Sequence, residues 1–182
     1  LLSEDAGPET WGNDAALNYI IRMFKQAKAR FLWNGSVFTI GISMGGLPAT
    51  LTAYRQTLGI PVKAIALIAG RVNLLDAFVG PKDRSADIDS AYGTSFYTSQ
   101  EYAHDPIADF YSYIGNKTPV LAIVSAQDDT VNSKTNGELL VNLSKKLGVE
   151  SNIYSVEGPH LGSGYLSVDV ASKIASFFNL HQ

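Results

Sequence analysis

Val37-Phe38-Thr39-Ile40-Gly41-Ile42-Ser43-Met44-Gly45-Gly46-Leu47-Pro48-Ala49-Thr50 changes character at its centre. The first four residues are β-branched or aromatic and suit a strand. From Gly46 to Tyr54 the residues are mostly small and suit a helix, with Pro48 tolerated in its first turn. Between them lies Gly41-Ile42-Ser43-Met44-Gly45, a Gly-x-Ser-x-Gly in the strand, sharp turn, helix context of a nucleophile elbow. So tight a turn tolerates almost no side chain beside it, which predicts that glycine is needed on both sides of the serine. Ser43 would then stand at the top of a sheet with its Oγ exposed. The backbone N–H of Met44 would be placed to meet a developing oxyanion.

Outward from this turn, the chain alternates between helical and strand patterns. A helix is expected from Asn13 or Asp14 to about Phe31, with Leu17, Ile20, Ile21 and Phe24 on one face. After the Val37 to Ile42 strand comes a helix from Gly46 to Leu58, ended by Gly59-Ile60-Pro61. Val62 to Ala69 is a near-continuous apolar run, as a parallel strand buried on both faces requires. The alternation resumes with strand Pro119 to Val124, helix Lys134 to Leu147, strand Ser151 to Val156 and a last helix from about Tyr165 to Leu180. This order predicts one α/β domain over residues 1–182, with a mostly parallel sheet and helices on both faces. Residues 71–117 break the rhythm with Gly80-Pro81, Asp105-Pro106 and many aromatics. They are too long for a plain connection and read as short helices and loops forming a cap-like insertion over a site.

A serine hydroxyl needs a base, and the base needs an orienting group. Of three histidines, His181 is at the chain's end and His104 lies in the insertion. His160 sits in Glu157-Gly158-Pro159-His160-Leu161-Gly162, just after the last strand. In a parallel sheet, the loops beyond the strand C-termini converge on one edge, where Ser43 also lies. The acid is expected in the loop after the preceding strand, which holds both Asp128 and Asp129. Asp129 is read as the orienting acid and Asp128 as the neighbour that stabilises the turn. The chain order is then Ser43, Asp129, His160.

Together, Gly-Ile-Ser-Met-Gly-Gly, Ala-Gln-Asp-Asp-Thr-Val and Gly-Pro-His resemble the elbow, acid loop and histidine loop of the α/β-hydrolase superfamily. The resemblance covers roughly residues 10–182. The family's acid loop commonly reads Gly-x-x-Asp; with Ala126 at the glycine position, it points to Asp129. Trp11-Gly12-Asn13 and His104-Asp105-Pro106 are also similar to esterase-like members of bacterial and phage origin. The resemblance implies a serine hydrolase that cleaves carboxylic esters through an acyl-enzyme on Ser43 and uses no cofactor. A peptidase or amidase with the same triad is the nearest alternative, and a non-catalytic hydrolase-like binding module the next. The family also has several strands before its elbow strand and a second oxyanion donor in a loop after the third of them. The residues before Val37 read as a loop and one helix, with no His-Gly or Gly-Gly motif. The expectation is a C-terminal part of the fold, its sheet completed by an N-terminal segment or a second chain.

Composition bounds the rest. The chain is 46% hydrophobic and 17% charged, which fits a globular domain. Its net charge of −3, with scattered positive residues, gives no sign of a nucleic-acid partner; the small-molecule ester expected as partner is what the resemblance implies. The opening Leu1-Leu2-Ser3-Glu4-Asp5 has no basic or apolar leader pattern, and the longest apolar run is too short to span a membrane. Cysteine is absent, which removes a thiolate nucleophile and thiolate metal sites. His104-Asp105 alone is a weak metal signal, and no metal is expected. Arg71, just past a strand end, is expected near the same edge, in a structural salt bridge or, as the alternative, against an acidic substrate group or cap residues.

Overall fold

Asn13 opens the first helix: its side-chain oxygen accepts the N–H of Ala16 in the computed structural model, which describes residues 10–80 and 83–182. That helix, α1, runs over Asp14–Arg30. Strand β1 (Phe38–Ile42) leads through a 3₁₀ turn at Ser43–Gly45 into α2 (Gly46–Tyr54) and then β2 (Ala64–Ile68). The helix α2 stops four residues short of the expected Leu58, because Gln56 turns into the left-handed region (φ 50°). Between β2 and β3 the described residues form three short helices, α3 (Leu74–Val79), α4 (Ser85–Tyr92) and α5 (Ser99–Ala103), and a 3₁₀ turn at Phe110–Ser112. Strand β3 (Val120–Val124), helix α6 (Gly137–Lys146), strand β4 (Asn152–Ser155) and helix α7 (Val168–Leu180) complete the described order.

The four strands form one parallel sheet in the order β1-β2-β3-β4. Every residue of β2 and β3 is buried, as their unbroken apolar sequences require of strands covered on both faces. On one face, Ile65, Leu67, Val120 and Ala122 pack with Leu17 of α1, Leu51 and Tyr54 of α2, and Leu140 and Val141 of α6. On the other, Ala64, Ala66, Leu121 and Ile123 pack against Val170, Ile174 and Phe177 of α7. Such layering brings the loops after β1, β2, β3 and β4 to a common edge.

The segment between β2 and β3 contributes to a separate core, where Leu74, Ala77, Ile88 and Tyr92 close around Trp11 and Leu47, with Met44 against them. The expected aromatics divide: Tyr92, Phe110 and Tyr113 are buried, whereas Phe96, Tyr102 and Tyr111 are exposed. Among the described residues β1 pairs only with β2 and so stands at the sheet's edge. Ile40 and Ile42 lie on one face of this strand and remain 39% and 46% exposed, although Phe38 on the same face stacks on Phe178 of α7. No helix among the described residues is long and apolar enough to cross a membrane.

Candidate active site

Ser43 takes φ 50°, the left-handed region that a non-glycine residue enters at a cost of order 1–3 kcal/mol. The turn is held there by its neighbours. A Cβ on Gly41 would sit 2.6 Å from Gly46 Cα, and one on Gly46 would sit 2.5 Å from the carbonyl oxygen of Arg71. At Gly45 a Cβ would meet nothing within 4 Å. The crowding that demands glycine therefore falls on Gly41 and Gly46; of the two motif glycines on either side of the serine, only Gly41 is required by contact, and Gly45 is not. The strand before the turn and the helix after it touch through Gly41 and Gly46; Gly45 faces open space.

The sequence-predicted nucleophile and base come together. Ser43 Oγ lies 2.9 Å from His160 Nε2, across 117 residues of chain. His160 follows β4, and Leu161 beside it takes φ 53°. The histidine loop is tied to the loop after β3 at two points. Ser125 Oγ donates to the carbonyl of Gly158 (2.7 Å), and Gly158 N–H donates to Gln127 Oε1 (2.6 Å).

The carboxylate on the imidazole is Asp128, not the expected Asp129. His160 Nδ1 lies 2.9 Å from Asp128 Oδ2 and 3.1 Å from Oδ1. The side chain of Asp128 is 1% exposed, whereas Asp129 is an exposed residue whose Oδ1 accepts from Thr130 Oγ1. The physical reason is the fold of the loop. Asp128 Oδ1 accepts the N–H groups of Thr130 (2.9 Å) and Val131 (2.8 Å), which turns its carboxylate back toward the sheet edge. Turn stabilisation and contact with the base were expected of different residues. A carboxylate has enough acceptor sites for both, and Asp128 meets both demands.

Tyr165 is a contact the sequence reading missed. It is 1% exposed, and its hydroxyl donates to Asp128 Oδ2 at 3.0 Å. Its position explains why α7 starts at Val168, capped by Ser167, and not at Tyr165. The run Gly162-Ser163-Gly164-Tyr165 is the only hint of a non-helical approach. Burial works against the charge on Asp128, but the hydrogen bonds from Val131, His160, Thr130 and Tyr165 outweigh it and hold its carboxyl below the ordinary carboxylate range. Burial, and then the adjacent Asp128 carboxylate, push the Tyr165 hydroxyl well up, so it stays a proton donor. A carboxylate only accepts, so Nδ1 of His160 is the donor to Asp128 and Nε2 is the ring atom left facing Ser43 Oγ.

Arg71 lies at this edge as expected, 5% exposed, with Nη1 3.5 Å from Asp76 Oδ2. Its Nη2 donates to the carbonyl of Thr130 at 2.7 Å, and its backbone N–H donates to the carbonyl of Ser43 at 2.8 Å. A cleft of about 440 Å³ behind the acid loop is lined by Arg71, Asp76, Asp128, Asp129, Lys134 and Glu138 among others; Ser43 and His160 do not line it. The His104-Asp105 pair serves packing. His104 Nε2 lies 2.9 Å from Asp14 Oδ1, while Asp105 accepts from the N–H groups of Leu75, Ile107 and Ala108 and from Tyr97 Oη. No group of three metal-ligating side chains occurs among the described residues.

No protein-family model matches the sequence, and no curated protein sequence matches it significantly. Solved structures do match the fold. The acylaminoacyl peptidase of Pyrococcus horikoshii aligns over 95% of this chain and 28% of its own, at 20% identity and TM-score 0.69. An esterase of Pyrobaculum calidifontis aligns over 90% of this chain and 59% of its own, at 24% identity and TM-score 0.61. A propionate-bound esterase, Est2, of Thermogutta terrifontis aligns over 98% of this chain and 66% of its own, at 20% identity and TM-score 0.63. The chain thus spans about a quarter of the matched peptidases and about three fifths to two thirds of the esterases. With its parallel sheet and the turn after β1, the chain carries part of the α/β-hydrolase fold.

Proposed function

We propose that this chain is the part of a serine hydrolase that holds the triad Ser43, Asp128 and His160, and that its substrates are carboxylic esters. The observation that carries the reading is the unbroken relay from Ser43 Oγ to His160 Nε2 and from Nδ1 to a buried Asp128. In the proposed mechanism His160 takes the proton of Ser43 as Oγ attacks the acyl carbonyl, and returns it to the leaving alcohol. Asp128 stabilises the imidazolium and fixes the tautomer. Water, deprotonated by the same histidine, then releases the acyl group and restores Ser43. The backbone N–H of Met44 is the proposed oxyanion donor at the start of the turn into α2. A second donor would come from a segment upstream of β1 or from a second chain, completing the sheet at its exposed edge. One such donor is worth roughly 3 kcal/mol of transition-state stabilisation. The 71–117 insertion is proposed as a cap, because α3 and α4 pack beside Met44, next to the nucleophile.

Cleavage of amides by the same triad is a second reading, favoured by the fold match to acylaminoacyl peptidases. The deciding experiment is active-site labelling of the intact protein with a fluorophosphonate, followed by p-nitrophenyl ester and aminoacyl-anilide hydrolysis. Labelling of wild type but not Ser43→Ala, with ester turnover exceeding amide turnover, is expected. Labelling that survives Ser43→Ala would assign the nucleophile elsewhere, and no labelling at all would leave a non-catalytic binding module.

A further inference from the structure

Arg71 is a buried cation that the relay itself does not use, yet it touches both halves of the site. Its backbone N–H anchors the carbonyl of Ser43, the residue held in the left-handed region. Its side chain reaches in the other direction, where Nη2 donates to the carbonyl of Thr130. That carbonyl belongs to the Thr130–Val131 peptide, whose own N–H donates to Asp128 Oδ1 at 2.8 Å. One planar peptide unit therefore separates the guanidinium from the acid, with a hydrogen bond on each side. A charged donor on the carbonyl polarises the peptide and strengthens its N–H as a donor. The guanidinium is in turn fixed by Asp76, which accepts from Asn136 Nδ2 at 3.1 Å, and by the face of Trp11, 5.9 Å from its Cζ. Gly46 lets α2 approach the Arg71 backbone closely enough to keep the Ser43 anchor in place.

Resting on the serine-hydrolase reading above, we propose that Arg71 is a positioning residue: it sets the Asp128–His160 pair through the Thr130–Val131 peptide and registers it against the elbow through its own backbone. A buried arginine that merely packs would stabilise the fold without acting selectively through Asp128. The placement predicts coupling to Asp128 in particular, since the guanidinium reaches the base only by way of that carboxylate.

The test uses the intact protein with Arg71→Met and Arg71→Lys, alone and with Asp128→Asn. The readouts are the rate of fluorophosphonate labelling at Ser43, kcat and KM for a p-nitrophenyl ester, and the NMR resonance of the His160 Nδ1 proton. Arg71→Met should slow labelling by roughly 10- to 100-fold, the scale of an ångström-level misplacement, through kcat with KM little changed. Arg71→Lys keeps the charge but not the fork, and should fall between Arg71→Met and wild type. In the Asp128→Asn background both changes should cost no more than about twofold, because a residue that acts through Asp128 has little left to lose once Asp128 is changed, whereas independent sites would add in full. The Nδ1 proton should move upfield in Arg71→Met as its hold on Asp128 loosens. If Arg71→Met does not fold, Arg71→Lys carries the same comparison. A folded variant that labels at the wild-type rate, or the full loss persisting in Asp128→Asn, overturns the proposal. If wild type fails to label at all, the hydrolase reading fails separately. The Nδ1 resonance then still decides, and an unchanged shift in the Arg71 variant rules the positioning role out.

Discussion

His160 Nδ1 lies within 3.1 Å of both oxygens of Asp128, so the first of two adjacent carboxylates holds the imidazole. Asp128→Asn should therefore cut kcat by about 10⁴, because an amide at this position favours the wrong tautomer. Asp129→Asn should leave kcat within about tenfold, its side chain being exposed at the loop surface. Steady-state ester hydrolysis by the two variants checks the assignment. A larger loss in Asp129→Asn would return the role to the residue the acid-loop motif indicates.

The contrast between these two residues marks what the sequence makes legible. The tight turn is readable because Gly41 is set by contact with Gly45 and Gly46 close by in sequence, and the parallel sheet because β2 and β3 are continuously apolar. The placement of His160 beside Ser43 is readable from its position after the last strand. Which carboxylate meets the imidazole is not, because it depends on how Asp128 folds back onto the N–H groups of Thr130 and Val131. Tyr165 was illegible for a related reason. Its hydroxyl matters through a partner 37 residues away, which no periodicity encodes.

Gly45 and Gly46 should respond oppositely to alanine. Gly46→Ala drives a Cβ into the Arg71 carbonyl at 2.5 Å and must push α2 away from the loop after β2. A loss of at least about 1–3 kcal/mol in denaturant unfolding is expected, with slower labelling at Ser43. Gly45 has an ordinary φ of −61° and open space, so Gly45→Ala should be neutral or stabilise by up to about 1 kcal/mol.

Tyr165→Phe removes one donor from a buried carboxylate while keeping the ring's packing. Hydrogen bonds to charged groups are worth about 1.5–3 kcal/mol, so stability should fall by that order. The Asp128 carboxyl should titrate higher than in wild type, read by carbon NMR. An unchanged titration would mean that the tyrosine hydroxyl is turned away from Asp128 in solution.

The depressed carboxyl of Asp128 also fixes a sign for acid stability. Because its folded value lies below its unfolded one, its contribution is present above the unfolded value, about 3.9, and is lost as pH falls through the folded value. Asp128→Asn lacks this titration. The stability difference between wild type and Asp128→Asn should shrink below about pH 4, as both side chains become neutral. Thermal unfolding from about pH 5 to about pH 2 measures it, and a difference that goes on widening below about pH 4 would contradict the sign.

Ile40 lies on the exposed face of β1, at the edge of the described sheet, and is 39% exposed. A parallel strand with an open edge and uncovered isoleucines is a template for association. Residues 1–182 expressed alone should therefore self-associate and show little esterase activity, measured by sedimentation velocity and p-nitrophenyl ester turnover. Ile40→Lys should shift that species toward monomer, because a charge on an edge strand opposes pairing. In an intact protein where further strands pair with this edge and an element packed on them covers this face, the same change would bury an unpaired ammonium. It should then destabilise the fold by at least about 2 kcal/mol. The opposite signs distinguish a covered strand from a true edge. If residues 1–182 form a stable monomer with full activity, β1 is the natural boundary of the sheet, and Ile40→Lys should be harmless in both contexts.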